Sequence, residues 1–187
     1  MNTLFTTYTH GDETPPFVIP GDVLVCNELA KEANTRYIDA DLNRVFGLEG
    51  EGYEYQRAKE ILEVCKDYDL VVDIHTTTAL TSTTAIVSKK EDVDYARIFN
   101  PSKIVIIPMQ TTLIANVKHG VAMEYSRYEG GLYATPKYTR VFSYVDFVDA
   151  NPKWEEMDTV IYKGKTCYAF LIGAKEYNGK CFLIEIV

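Results

Sequence analysis

Long apolar runs are missing from this 187-residue chain. No stretch approaches the roughly 20 residues that cross a bilayer, so a membrane-spanning protein is not expected. Met1–His10 has neither the basic start nor the apolar middle of a secretion signal. Cysteine is sparse: Cys26, Cys65, Cys167 and Cys181 form no C-x-x-C pair, the pattern of reduced thiols in a cytoplasmic protein. Positive charge is in deficit, with 19 Lys+Arg against 27 Asp+Glu and a net charge of −8. A field of that sign disfavours nucleic acid and anionic membrane surfaces as partners. Internal repeats and low-complexity tracts are also absent. What remains, with 47% hydrophobic and 25% charged residues, is the composition of an ordinary globular protein.

Strand and helix patterns alternate along the first two thirds. Leu4–Tyr8, Asp22–Cys26, Asp69–Ile74, Thr84–Val87, Ile104–Ile107 and Gly120–Glu124 read as strands. Asp69–Ile74 (DLVVDI) is nearly continuous in apolar residues, as in a strand buried on both faces. Tyr53–Lys66 is the best helix, with Tyr55, Ala58, Ile61, Leu62 and Cys65 on one face. Shorter helical segments are expected at Glu28–Asn34 and Val93–Phe99. Pro-rich Thr14–Gly21 cannot hold a helix, and Arg36–Phe46 reads as loop. This order predicts an α/β fold with a mixed sheet flanked by helices. After about Ala134 the chain turns rich in Tyr, Phe and Val, with strands expected at Val141–Val148, Thr159–Tyr162, Tyr168–Ile172 and Phe182–Ile186. The expected organisation is a catalytic domain over 1–134 and a small C-terminal β appendage over 135–187. Trp154 is expected to anchor the packing of that appendage.

Three histidines are present, and two sit where metal chemistry would place them. His10 and Glu13, three apart just past a strand end, can face one point on a turn. His75 ends the strand DLVVDI, where open α/β sheets gather ligands. Asp73 lies two residues earlier on the same face and suits a partner that fixes the ring of His75. Two histidines and a carboxylate form a catalytic zinc set that leaves a position open. The segment Arg36–Phe46 carries two arginines, an asparagine and two aspartates. Arginine grips carboxylates with paired hydrogen bonds; a loop held by its own Arg–Asp pairs is the alternative. His119 reads as a surface histidine.

The string TRYIDADLNRVF resembles the R-x-x-D-x-D-L-N-R-x-F motif of the aspartoacylase and succinylglutamate desuccinylase family, zinc amidohydrolases related in fold to zinc carboxypeptidases. HGDE at His10–Glu13 resembles that family's H-G-N-E motif, and YDLVVDIHTTTA its Y-D-x-x-x-D-x-H-x-T-T segment. The resemblance implies one Zn²⁺ on His10, Glu13 and His75, and hydrolysis of the amide bond of a small N-acyl amino acid. It implies Arg36 as oxyanion holder, Asn43 and Arg44 as carboxylate binders, and Glu124 as catalytic base, with Glu129 as rival. Leu171–Tyr177 resembles the segment that supplies a substrate-binding tyrosine, here Tyr177; Lys180 is a weaker candidate for a nearby charge.

Departures from the family pattern shape the expected specificity. A second carboxylate-binding arginine belongs near Met109–Leu113, where this chain has Leu113 at the arginine position and Met109 at a tyrosine position. A substrate with one carboxylate and a more apolar side chain is therefore expected over N-acetylaspartate. Shortened helical regions leave one sheet face barer, which a homodimer would cover. A carboxypeptidase-like zinc peptidase and a non-catalytic binding module on the same fold stay open as alternatives.

Overall fold

The computed structural model describes residues 1–127 and 139–187. Glu129 and the expected domain boundary at 134/135 lie outside the described residues. The ten described strands are β1 (Thr3–Thr7), β2 (Asp22–Val25), β3 (Leu70–Thr77), β4 (Thr84–Val87), β5 (Lys103–Ile106), β6 (Gly120–Ser126), β7 (Arg140–Asp149), β8 (Thr159–Tyr162), β9 (Lys165–Phe170) and β10 (Lys180–Ile186). They form one mixed sheet in the order β2-β1-β3-β6-β4-β5-β7-β10-β9-β8. The first half is largely parallel, with β4 and β6 antiparallel. From β7 to β8 every neighbour is antiparallel. β7 pairs in parallel with β5, so the C-terminal strands extend the same sheet. Trp154 packs there against Cys167, Ala169, Cys181 and Leu183.

Strand alternation divides the core into two faces. Leu70, Val72, Ile74, Ala85, Val87, Ile104, Val121 and Met123 pack together on one side. Val93, Tyr95 and Phe99, from α3 (Val93–Arg97) and the residues after it, lie against that side with Phe5 and Ile19. The intervening residues point the other way, and Ile86, Val105, Ile107 and Ala122 join a second cluster with Phe142, Phe170 and Phe182. Asp73 and His75 on β3, and Glu124 on β6, belong to this second face by the same period of two.

The helices are few and short, and each has a local cause. α1 (Glu28–Ala33) is capped by Asn27, whose Oδ1 accepts from the Ala30 N–H at 3.2 Å, and ends on Asn34 in the left-handed region at φ 50°. Gly11 lies hard against this helix: a Cβ there would meet the Ala30 carbonyl carbon at 2.1 Å, which explains the glycine between His10 and Asp12. α2 (Tyr53–Cys65) buries Ala58, Ile61 and Cys65 against Leu4, Leu42 and Phe46. The segment predicted as loop contains a 3₁₀ turn at Leu42–Arg44, whose N–H of Asn43 is capped by Asp41 at 2.9 Å. No helix among the described residues is long and apolar enough to cross a membrane. The four cysteines are buried and unbridged.

Candidate metal centre and substrate cleft

Three buried side chains converge at the C-terminal ends of β1 and β3. One ligand atom from each of His10, Glu13 and His75 falls within 4.8 Å of the other two. Glu13 stands between the rings. Its Oε1 is 2.7 Å from His10 Nδ1 and its Oε2 is 2.8 Å from His75 Nδ1. Both Nδ1 atoms thus face one point. Each Nε2 is turned away onto a carboxylate: His75 Nε2 to Asp73 Oδ2 at 2.6 Å, His10 Nε2 to Asp41 Oδ1 at 3.0 Å. Asp73 is itself fixed by the hydroxyls of Thr6 and Thr9 at 2.8 and 2.7 Å. The carboxylate behind the His75 ring favours the tautomer that leaves Nδ1 for a ligand, while His10 Nε2 also lies 2.9 Å from Arg36 Nη2. Asp73 was legible two residues from His75; Asp41, behind His10, was not.

The electrostatics of the cluster follow from this stacking of opposite charges. Burial opposes the charged form of His75, yet the Asp73 and Glu13 carboxylates hold its pKa well above the ordinary histidine value. Burial likewise opposes the Glu13 carboxylate, and the two rings bring its pKa well below the usual range. The donor set fits a borderline cation such as Zn²⁺: two imidazole nitrogens and one carboxylate.

The remaining sequence-predicted residues surround the cluster. Arg36, Asn43, Arg44, Glu124 and Tyr177 line one cleft with His10, His75, Thr112 and Phe182. Arg36 places Nη1 at 3.3 Å from Glu13 Oε1, and Nε and Nη2 each at 3.3 Å from Asp41 Oδ2. Arg36 thus pairs with Asp41 within its own loop and also borders the cleft. Asn43 accepts the Leu113 N–H on Oδ1 at 3.1 Å. Glu124 is the direct β6 neighbour of His75 across the ladder. Burial raises its carboxyl to about 7, with Glu13 adding and His75 opposing. Tyr177 stands edge-on to Phe147 and Phe182, its ring centroid 5.7 and 5.2 Å from theirs. Its 3₁₀ turn, Lys175–Tyr177, is latched to the end of β3, because Glu176 accepts from the Thr78 N–H and hydroxyl at 3.3 and 2.9 Å.

Three further positions lie outside the cleft lining. Lys180 is half exposed, 3.9 Å from Asp149, and outside the cleft lining. His119 bonds Asp92 at 2.8 Å and stacks on Tyr95 away from the site. Leu113, expected at an arginine position, is fully buried in the core beside Leu42 and Val117, because the 3₁₀ turn at Leu113–Ala115 rotates it inward. Thr112 borders the cleft instead.

Sequence inspection also missed Glu54. It lies in the first turn of α2, fully buried, and accepts from the backbone N–H of Ile38, Asp39 and Ala40 at 2.7, 3.0 and 3.2 Å. It also accepts from Asn27 Nδ2 at 3.2 Å. One carboxylate thus shapes the loop that presents Arg36, Asp41, Asn43 and Arg44. Glu54→Ala is expected to destabilise the protein by about 3 kcal/mol, since four donors lose one fully buried acceptor together. Glu54→Gln, with one oxygen left, should lose less. Urea midpoints of the two variants check this; equal midpoints for Ala and wild type would remove Glu54 from the account.

A mixed sheet with a His–Glu–His cluster at its strand ends has the architecture of the zinc-carboxypeptidase-like proteins. Within that class, the family model for the succinylglutamate desuccinylase/aspartoacylase catalytic domain matches residues 21–119, and the chain belongs to that family. It is 30% identical to aspartoacylase of Danio rerio over 131 residues, 60% of this chain and 42% of that protein. It is also 30% identical to an N-acyl-aromatic-L-amino acid amidohydrolase (carboxylate-forming) of Xenopus laevis over 158 residues, 68% of this chain and 52% of that protein. The chain thus spans about half the length, or less, of these curated relatives. Murine aminoacylase 3 shares the fold with a TM-score of 0.76 at 16% identity, over 100% of this chain and 95% of that one. Succinylglutamate desuccinylase from Chromobacterium violaceum gives 0.71 at 14% identity, over 99% and 84%. The family match contains Arg36, Asn43, Arg44 and His75 but not His10, Glu13, Glu124 or Tyr177, whose convergence is a matter of geometry.

Proposed function

We propose that this protein is a zinc-dependent deacylase that hydrolyses the amide bond of a small N-acyl amino acid. The observation that carries the reading is the buried His10–Glu13–His75 cluster, beside a carboxylate, Glu124, in direct register with one of its histidines. A Zn²⁺ held by those three side chains would supply Lewis acidity at the scissile carbonyl and for activating water. Glu124 takes the proton of the attacking water and delivers it to the leaving amine. Arg36, anchored on Asp41 and Glu13, offers its guanidinium to the charge that develops on the carbonyl oxygen. Arg44 grips the substrate carboxylate, and the Asn43 side-chain NH₂ assists while its oxygen holds Leu113. Tyr177 and Phe182, both from the C-terminal segment, wall the cleft. That enclosure supports a small substrate over an extended peptide. A hydrolysis assay over N-acyl amino acids, with and without a chelator, tests the reading; absence of chelator-sensitive turnover on all of them would reject it.

The cleft also supports a side-chain preference. Arg36 is proposed for the carbonyl oxygen, so Arg44 is the cation left for a substrate carboxylate among the described lining residues. An adjoining hollow of about 320 Å³ is lined by Arg44 together with Ile107, Pro108, Met109, Tyr144, Phe147, Tyr177 and Phe182. With Arg44 engaged by the first carboxylate, a second one placed there would face apolar and aromatic side chains with no further cation among the described lining residues, an unfavourable setting for a charge. N-acetyl-L-phenylalanine or N-acetyl-L-leucine is expected to exceed N-acetyl-L-aspartate in kcat/KM by about 100-fold or more. A preference for the aspartate derivative would refute this specificity.

A further inference from the structure

Thr112 is buried to 1% exposure, and its hydroxyl oxygen has no hydrogen-bond partner among the described residues. It stands at the N-cap position of the 3₁₀ turn Leu113–Ala115 yet makes no side-chain cap bond. A threonine there ordinarily spends its oxygen on the turn's own N–H groups. Its backbone carbonyl, by contrast, is doubly used, by the Ala115 N–H at 3.2 Å and Asn116 Nδ2 at 2.8 Å. The residue is also held tightly against the Asn43–Arg44 segment. Leu113 N–H donates to Asn43 Oδ1 at 3.1 Å, and Phe46 N–H donates to the Thr111 carbonyl at 3.2 Å. Thr112 and Arg44 border the same cleft. A buried hydroxyl without a partner carries a desolvation penalty that a bound acceptor would remove.

We propose that Thr112 is a specificity-determining residue whose hydroxyl donates a hydrogen bond to the substrate carboxylate gripped by Arg44. The inference rests on the deacylase reading for the identity of the ligand. The hydroxyl supplies a neutral donor beside a single guanidinium. Such a site favours one carboxylate without adding the second positive charge that a dicarboxylate would need.

The test uses the zinc-loaded Glu124→Gln protein, in which binding is read without turnover. Two probes are titrated by calorimetry: N-acetyl-L-phenylalanine and its primary amide, which lacks the negative charge. With Thr112 intact the acid binds more tightly than the amide. Adding Thr112→Val, which keeps the shape and removes the hydroxyl, is expected to weaken the acid by about tenfold, the scale of a hydrogen bond to a charged group. The amide should change by less than about twofold, and Thr112→Ser should restore the acid. The thermal midpoint of Thr112→Val should not fall, because the lost hydroxyl had no partner to abandon. Equal losses for acid and amide, or no loss for the acid, would overturn the assignment of Thr112 alone. Failure of both probes to bind while Thr112 is intact would overturn the deacylase reading and the carboxylate contact with it.

Discussion

Replacing Glu124 with glutamine will lower the rate of amide hydrolysis by about 10²–10⁴-fold while leaving the zinc content unchanged. The magnitude is that of a removed general acid–base group. The second half of the expectation comes from position. Glu124 lies on β6, beside His75, and is not one of the three side chains whose ligand atoms converge. Glutamine keeps its size and one oxygen but cannot carry a proton between water and the leaving amine. The strand itself should tolerate the change, since β6 is held on both sides by ladders to β3 and β4. Steady-state kinetics and elemental analysis on the same preparation measure the two halves together. Full activity in the variant would transfer the role to Glu129, the rival carboxylate; lost zinc would instead make Glu124 a ligand.

The architecture was readable where chemistry is local. The apolar run DLVVDI announced β3, and the pattern over Tyr53–Lys66 announced α2 to within a residue. The three clustered side chains were readable because His10 and Glu13 lie three apart just past β1 and His75 lies near the end of β3. Long-range partners left no such trace. Asp41 meets His10 across 31 positions, and Glu54 meets the loop at 38–40 from a helix face that composition marks as polar. The parallel pairing of β7 with β5 joins strands separated by β6 in the chain, and the composition shift after about Ala134 carries no sign of it. The family resemblance placed Leu113 at an arginine position, whereas a 3₁₀ turn sends it into the core and Thr112 borders the cleft.

His75→Ala is expected to abolish both zinc binding and turnover, with a cost in stability that the chemistry of the cluster explains. His75 lies between Glu13 at 2.8 Å and Asp73 at 2.6 Å, so its removal takes one compensating partner from each of two buried carboxylates. Breaking a buried charge pair by deleting one partner costs about 3–5 kcal/mol. A stability loss alone would not prove a metal role, so the companion variants matter. Asp73→Asn retains all three donors and removes only the carboxylate behind the His75 ring. It should fold, keep zinc, and bind it about 10–100-fold more weakly. Glu13→Gln removes a donor but keeps the packing between the rings, and should lose zinc with a smaller fall in thermal midpoint than His75→Ala. The ordering to be found in zinc affinity is wild type, then Asp73→Asn, then the two donor variants with none. Zinc retained at wild-type affinity in folded His75→Ala would show that the ion binds elsewhere, and the convergence of His10, Glu13 and His75 would then have to be explained by buried ion pairing alone.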